Sequence, residues 1–315
     1  MTALPPFGAR FENVTVTYPR SWSADANGAV HRTPGATALD GITCDIPAGQ
    51  ITGLLGRNGA GKSTMLGLLA AFRRPTHGSV VVGAGGDLRD PWEDAALTSA
   101  VQFVQDGGDV FADQKCADTL AYYADLRPEW DAGRAAELLD LFEIPVRKKP
   151  AALSRGKRSA LAATIGLASR APLTIFDEVY LGMDTPTRHA FYDALLADYA
   201  AHPRTIILSS HLVAETERLF EHVVLVDAGR VLLAEPADEL RSRATALTGP
   251  ASAVDRLTHG REVLDRQELG ATAMVTVLGT MPDDAARAAA AEGVTVGGVG
   301  LESLFVHLTR KEARR

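Results

Sequence analysis

The sequence predicts an α/β fold: a three-layer core around a largely parallel sheet, followed by a small α+β unit. Three observations carry that prediction. Around residues 51–71 a short apolar run, a glycine-rich loop and a helical pattern follow one another without a break. Strand-like and helix-like segments then alternate as far as residue 233, the order that βαβ connections produce. From about residue 245 the pattern restarts in the order βαββαβα, as in a small ferredoxin-like domain. The expected division is 1–241 for the first domain and 245–315 for the second.

The elements can be taken in order. Residues 11–18 (F-E-N-V-T-V-T-Y) alternate, with Val14, Val16 and Tyr18 on one face, as a strand does. Residues 21–36 are rich in Ser, Asn, Gly and Pro and predict an exposed loop. Residues 39–46 form a second strand candidate. Residues 51–55 are a buried strand, and 63–71 a helix with Met65, Leu66, Leu68 and Leu69 on its buried side. Residues 80–82 read as a strand, 91–99 as a short helix and 101–104 as a strand ending in the polar break 105–108. Little strand signal follows in about 107–169, which reads as a helical insertion. Its helices are 115–126, 131–142 with Asp131 as N-cap, and 156–169 with Ser154 as cap.

Strand signals resume at 173–176 (L-T-I-F). A helix over 186–200 follows, with Thr185 as cap, then a strand over 205–208 with His211 just after it. Residues 223–226 and 231–233 flank Ala228-Gly229, a hairpin signal. Beyond 245 the strands are 245–247, 262–264, 273–278 and 294–296, and the helices 251–257, 283–291 and 301–309. Leu301, Leu304, Phe305 and Leu308 repeat at helical spacing in the last helix, a stripe expected to be core.

Composition bounds the function. The chain has 315 residues, 46% hydrophobic and 23% charged, with a formal net charge of −7. Scattered charge of that sign argues against a strongly basic nucleic-acid face, so no nucleic-acid partner is expected. The two cysteines, Cys44 and Cys116, sit in no metal-ligand spacing and are expected to be free thiols in a reducing compartment. The N-terminal residues lack the basic start and apolar core of a signal peptide, and no run approaches about 18 apolar residues. The basic end at 310–315 (R-K-E-A-R-R) is expected to be solvated.

The chemistry starts at residues 54–71, L-L-G-R-N-G-A-G-K-S-T-M-L-G-L-L-A-A. Gly56, Gly61, Lys62 and Ser63 fit the phosphate-loop pattern G-x-x-x-x-G-K-[ST], with Arg57, Asn58, Gly59, Ala60 and Thr64 completing the loop. Backbone N–H groups of such a loop form a nest for an anion, and the helix start adds partial positive charge. Lys62 can reach the β- and γ-phosphates and the Ser63 hydroxyl can ligate magnesium. A carboxylate on a neighbouring strand is also needed. L-T-I-F-D-E supplies Asp177 for the magnesium ion and Glu178 as general base for the attacking water.

In this order the motifs resemble those of the ATP-binding subunits of ABC transporters, with matches from about residue 11 to 241. Leu153-Ser154-Arg155-Gly156-Lys157-Arg158 stands where that family carries L-S-G-G-Q. Gln105 matches the glutamine before the helical subdomain. Leu181-Gly182-Met183-Asp184 matches the segment after the glutamate, His211 the histidine after the next strand, and Tyr18 the aromatic that stacks on adenine. The resemblance implies that two subunits sandwich two ATP molecules with Mg2+, in a homodimer or with a similar chain. Ser154 and the Gly156 N–H of one subunit then cap the γ-phosphate held by Lys62 of the other. It implies that His211 touches the γ-phosphate, that Gln105 approaches magnesium and water, and that separate membrane-spanning permease subunits dock on the helical insertion. The expected location is the cytoplasmic face of a membrane, held there by those partners.

More narrowly the chain resembles bacterial single-cassette subunits of drug- or antibiotic-linked exporters. Three departures stand out. Arg155 and Lys157 replace glycine and glutamine, and their charge is expected to favour ATP in the sandwich. Val179 replaces the proline usual after the glutamate and is expected to loosen that turn. Two alternatives are a non-transport ABC ATPase acting on DNA or the ribosome, and a regulatory nucleotide-binding module that barely hydrolyses.

Overall fold

The computed structural model describes residues 4–19, 21–24, 30–33, 35–105 and 111–305. The chain divides into two compact units, Met1–His211 with Val224–Ala234, and Leu212–Val223 with Glu235–Arg315. The strands are, in order, β1 (Gly8–Tyr18), β2 (Ser21–Ala24), β3 (Val30–Thr33), β4 (Ala36–Ile46), β5 (Ile51–Leu55), β6 (His77–Ala84), β7 (Asp87–Arg89), β8 (Val101–Gln105), β9 (Leu173–Asp177), β10 (Thr205–Ser210), β11 (His222–Asp227), β12 (Arg230–Pro236), β13 (Ala244–Pro250), β14 (Val263–Leu269), β15 (Thr272–Leu278) and β16 (Thr295–Gly298). The helices are α1 (Lys62–Leu69), α2 (Ala95–Ser99), α3 (Cys116–Leu126), α4 (Ala132–Leu141), α5 (Arg155–Ala168), α6 (Thr185–Ala201), α7 (Val213–Thr216), α8 (Ala237–Arg241), α9 (Ala251–Thr258) and α10 (Asp283–Ala291).

A six-stranded sheet in the order β12-β11-β5-β10-β9-β8 forms the centre of the first unit. Its β5, β10, β9 and β8 run parallel. β5, β9 and β10 are buried along their whole length, which is why they read as unbroken apolar runs. Ala228 and Gly229 both take positive φ, 45° and 79°, and turn β11 back into β12 as the hairpin signal required. α5 packs on β8 and β9, while α1 contacts β4, β6 and β9, with Met65, Leu66, Leu68 and Leu69 all buried as expected.

The remaining strands depart from a single three-layer core. β4, β1, β6 and β7 make a separate four-stranded antiparallel sheet. β1 buries Val14 and Val16 together as expected but carries an irregularity before them. Asn13 takes a φ of 48° at a register shift between Phe11 and Val14. The bulge lets Phe11 and Val14, which plain alternation would put on opposite faces, both be fully buried. β2 and β3 pair antiparallel inside the stretch expected to be loop, because backbone pairing does not need an apolar face. Asp184, not Thr185, caps α6: its carboxylate accepts the Thr187 N–H at 2.9 Å, so the helix starts one residue before Pro186. Asp131 and Ser154 cap α4 and α5 as expected. Most of the polar break after Gln105 lies outside the described residues.

In the second unit β14, β15, β13 and β16 form one antiparallel sheet in that order. Its core includes Leu247 and Val254 with Val275, Val277, Ala289 and Val294. Leu301 and Leu304 are buried, so this part of the stripe is core; Leu308 and the tail 310–315 lie outside the described residues. Both cysteines are free and buried, and burial pushes the Cys44 thiol up to about 12. Among the described residues no helix is long and apolar enough to cross a membrane.

Besides the packing of α5, one buried carboxylate links α4 of the helical insertion to α6. Asp198 on α6 accepts from Arg170 Nη1 at 2.6 Å and Arg204 Nη2 at 2.7 Å, and lies 3.2 Å from Arg134 Nε on α4. Arg170 also reaches the Asp131 cap at 2.9 Å. Burial holds the Arg204 guanidinium below its ordinary pKa, with Asp198 opposing that shift. Removing Asp198 would take the carboxylate partner from the buried Arg204 guanidinium. Asp198→Ala should therefore lose about 3–5 kcal/mol of stability, read as a lower urea midpoint at unchanged slope.

Candidate nucleotide site

The site sits at the carboxyl ends of the parallel strands, where open α/β sheets bind ligands. Registers bring four ends level: Leu55 lies beside Ser210, Ser209 beside Asp177, and Asp177 beside Gln105. The glycine-rich loop leaves β5 there and enters α1.

Two of the loop's glycines are required by the protein's own backbone. A Cβ on Gly56 would overlap the Val226 carbonyl oxygen of β11. One on Gly61, which has a φ of 109°, would stand 2.7 Å from the Ala38 carbonyl oxygen of β4. Gly59, at a φ of 81°, has no neighbour within 4 Å and supplies conformational freedom alone. Between them Ala60 is buried, donates its N–H to Arg57 O at 3.1 Å and accepts from Gly229 N at 2.9 Å. Arg57 and Asn58 are exposed. α1 starts at Gly61 with no side-chain cap and no acidic residue in its first turn, an arrangement suited to an anion.

Lys62 is 5% exposed, and its ammonium is held beneath the loop. Nζ donates to Gly56 O at 2.9 Å and Arg57 O at 3.3 Å, and lies 3.1 Å from Glu178 Oε1. Glu178 is strained at a φ of 50°, just past β9. Ser209 fixes it: the Glu178 N–H donates to Ser209 Oγ at 2.9 Å, and that hydroxyl donates to Asp177 Oδ1 at 2.6 Å. His211 Nδ1 is 3.3 Å from Glu178 Oε1. A cavity of about 330 Å³ is lined by Ala38, Asn58, Gly59, Gly61, Lys62, Ser63, Thr64 and Glu178. Lysine, carboxylate, helix start and loop amides therefore converge on one space large enough for a polyphosphate.

Tyr18 stands at the end of β1, 36% exposed, with its hydroxyl 3.1 Å from Thr64 Oγ1. The Arg73 guanidinium lies over its ring, 4.5 Å from the centroid. One face of the ring expected to meet adenine thus already carries a cation, a contact not foreseen in the sequence.

Ser154, Gly156 and Asp184 lie outside the cavity lining. Ser154 Oγ accepts the Lys157 N–H at 3.3 Å as the cap of α5. A Cβ on Gly156 would stand 2.8 Å from Gly182 O, so the start of α5 packs directly on the turn Val179–Gly182 that follows Glu178. Asp184 is held below the usual carboxylate range by the Thr187 hydroxyl and N–H.

Two expectations for the departures are corrected. Lys157 Nζ donates to Phe142 O at 2.6 Å and Glu143 O at 3.1 Å, so its charge caps the end of α4. Val179 is fully buried, and its turn is closed by Leu181 N to Glu178 O at 3.1 Å and Met183 N to Tyr180 O at 3.0 Å; apolar burial replaces the rigidity of a proline ring. Ser209, Tyr180 and Arg73 were missed. A polar pair closing the apolar strand I-I-L-S-S was the available signal for Ser209.

Among the described residues no cluster of three His, Cys, Asp or Glu could hold a metal ion. The oxygen groups expected to meet magnesium are the Ser63 hydroxyl in the cavity lining and the Asp177 carboxylate at the end of β9, with Gln105 beside Asp177 in register. Such a set leaves positions to be filled by water and substrate oxygens.

Residues 39–180 match the family model described as ABC transporter. The chain is 30% identical over 236 residues to the methionine import ATP-binding protein MetN of Bradyrhizobium diazoefficiens, covering 71% of this chain and spanning 64% of that protein's length. It is 34% identical over 210 residues to the aliphatic sulfonates import ATP-binding protein SsuB of Pseudomonas putida, covering 65% of this chain and 73% of that protein. The fold is similar to that of an ATP-binding subunit of an ABC transporter, with a TM-score of 0.61 at 21% identity, covering 74% of this chain and 91% of the other. It is also similar to that of a dimeric ATP-binding cassette bound to ADP and Pi, at 0.58 and 20% over 73% and 98%. Identity of 34% across nearly three quarters of a relative shows the family: the chain belongs to the ABC transporter ATP-binding subunits, whose cassettes bind and hydrolyse ATP.

Proposed function

We propose that this chain powers a membrane transporter by hydrolysing ATP to ADP and phosphate in a dimer of two such subunits. Separate permease subunits dock on its helical insertion and hold it at the cytoplasmic face of the membrane. The carrying observation is Glu178 Oε1 lying 3.1 Å from Lys62 Nζ and 3.3 Å from His211 Nδ1 at the mouth of the loop. The loop amides and Lys62 bind the β- and γ-phosphates; Glu178 takes the proton of the attacking water; His211 steadies the γ-phosphate and Gln105 the water. Tyr18 binds the adenine on the ring face that Arg73 leaves. Ser154 and the Gly156 N–H act on the γ-phosphate bound by the other subunit, a role supported by their position outside this chain's own cavity. Residues 245–315 act as an accessory domain, and its antiparallel order β16-β13-β15-β14 supports a ferredoxin-like reading.

Ser63, Asp177 and Gln105 are the residues that would hold Mg2+, a hard cation suited to oxygen donors and completed by phosphate oxygens. When bound it supplies charge neutralisation at the β- and γ-phosphates. The expected export direction draws no support from the curated relatives, which are named as import proteins, and forms no part of this reading.

The Lys62–Glu178 pair has a consequence for binding. A phosphate must displace the carboxylate from the ammonium. Glu178→Gln should bind ADP about fivefold tighter than wild type, from about 1 kcal/mol of lost competition, measured by calorimetry; equal affinities would contradict it. The same variant should hydrolyse ATP about 10²–10⁴ times more slowly. A wild-type rate as low as that of the variant would instead favour a regulatory module.

A further inference from the structure

Tyr180 occupies the turn after Glu178 and is fully buried. A ring at this position fills space between Tyr192 and His211, with centroids 6.4 and 6.2 Å away. A phenylalanine would fill it equally well. The hydroxyl therefore needs its own account, because a buried hydroxyl is costly unless it is hydrogen-bonded.

Its neighbours are specific. β10 ends at Ser210, so the His211 N–H is the first beyond the ladder, and it donates to the Tyr180 hydroxyl at 3.2 Å. The same oxygen lies 3.1 Å from Ser210 Oγ and 3.5 Å from His211 Nδ1. A phenol has one proton to give and two lone pairs. The Tyr180 oxygen accepts the His211 backbone N–H and shares a hydrogen with the Ser210 hydroxyl. The Nδ1 edge of the His211 ring stands beside the same oxygen, with Glu178 Oε1 3.3 Å away on the other side. One hydroxyl thus holds the backbone of the histidine and abuts its ring.

We propose that Tyr180 is the positioning residue of His211: its hydroxyl anchors the His211 backbone N–H and holds the imidazole with its Nδ1 edge toward Glu178, which leaves the Nε2 edge for the γ-phosphate. The assignment rests on the ATPase reading above. Tyr180 acts only through His211 and does not touch substrate.

The test is a double-substitution cycle on the full chain, with thermal unfolding run alongside. Tyr180→Phe should lower kcat roughly five- to tenfold, the scale of one lost hydrogen bond, with the KM for ATP unchanged. In a His211→Ala background the same substitution should have no further effect, an outcome that a general packing role would not give. In the unsubstituted protein the His211 backbone N–H, held by the Tyr180 hydroxyl, should resist exchange with deuterium, a readout that does not depend on any variant folding. An unchanged kcat, the full loss persisting without His211, or a freely exchanging His211 N–H would each overturn the assignment while leaving the ATPase reading intact. A wild type without ATPase activity would overturn the reading it rests on, and the assignment with it.

Discussion

A lysine ammonium that is 5% exposed has to be surrounded by acceptors, and the whole site is arranged to provide them. Lys62 meets two carbonyls of its own loop and one carboxylate from the next but one strand. The carbonyls are internal to the loop and stay with it. The carboxylate is the exchangeable partner, on a residue with a strained backbone at the mouth of the cavity. A triphosphate brings more negative charge than Glu178 to the same ammonium. Under the proposed function, displacing Glu178 frees it to meet water, and binding of substrate and release of the base are one event at one cation.

The fold makes that possible by ending four parallel strands level. Each end brings residues to the site: the loop from β5, Asp177 and Glu178 from β9, His211 from β10, Gln105 from β8. Close backbone approach then locks the ends together. The Val226 carbonyl closes on Gly56, the Ala38 carbonyl on Gly61, and Gly182 on Gly156. Glycine at 56 and 61 is demanded as much by β11 and β4 as by the anion. The Gly156–Gly182 approach joins the start of α5 to the turn that carries Glu178. Asp198 joins α4 to α6 within the same unit.

Local patterns were legible and three-dimensional pairings were not. The phosphate loop, the D-E pair after L-T-I-F and the caps Asp131 and Ser154 are each written within a few residues, so the sequence displays them directly. Thr185 reads as a cap because its residue type suits one; only the path of the backbone shows that Asp184 caps α6. The separate sheet of β1, β4, β6 and β7 was hidden because antiparallel strands that share a core with a parallel sheet carry the same apolar residues. Lys157 looked like charge aimed at a partner's phosphate because its bonds to Phe142 and Glu143 span fourteen residues or more. Tyr180 and Ser209 act across about 30 residues of sequence, where no spacing rule reaches.

The central claim is that the site of one chain is incomplete until a second chain supplies Ser154 and Gly156 across the γ-phosphate. Sedimentation velocity of the Glu178→Gln protein, with and without ATP and magnesium, tests it most directly. The account predicts a monomer without nucleotide, a dimer with ATP, and a monomer again when Ser154 is replaced by a bulky arginine. A protein that stays monomeric at saturating ATP, or a dimer indifferent to both ATP and Ser154, would contradict it.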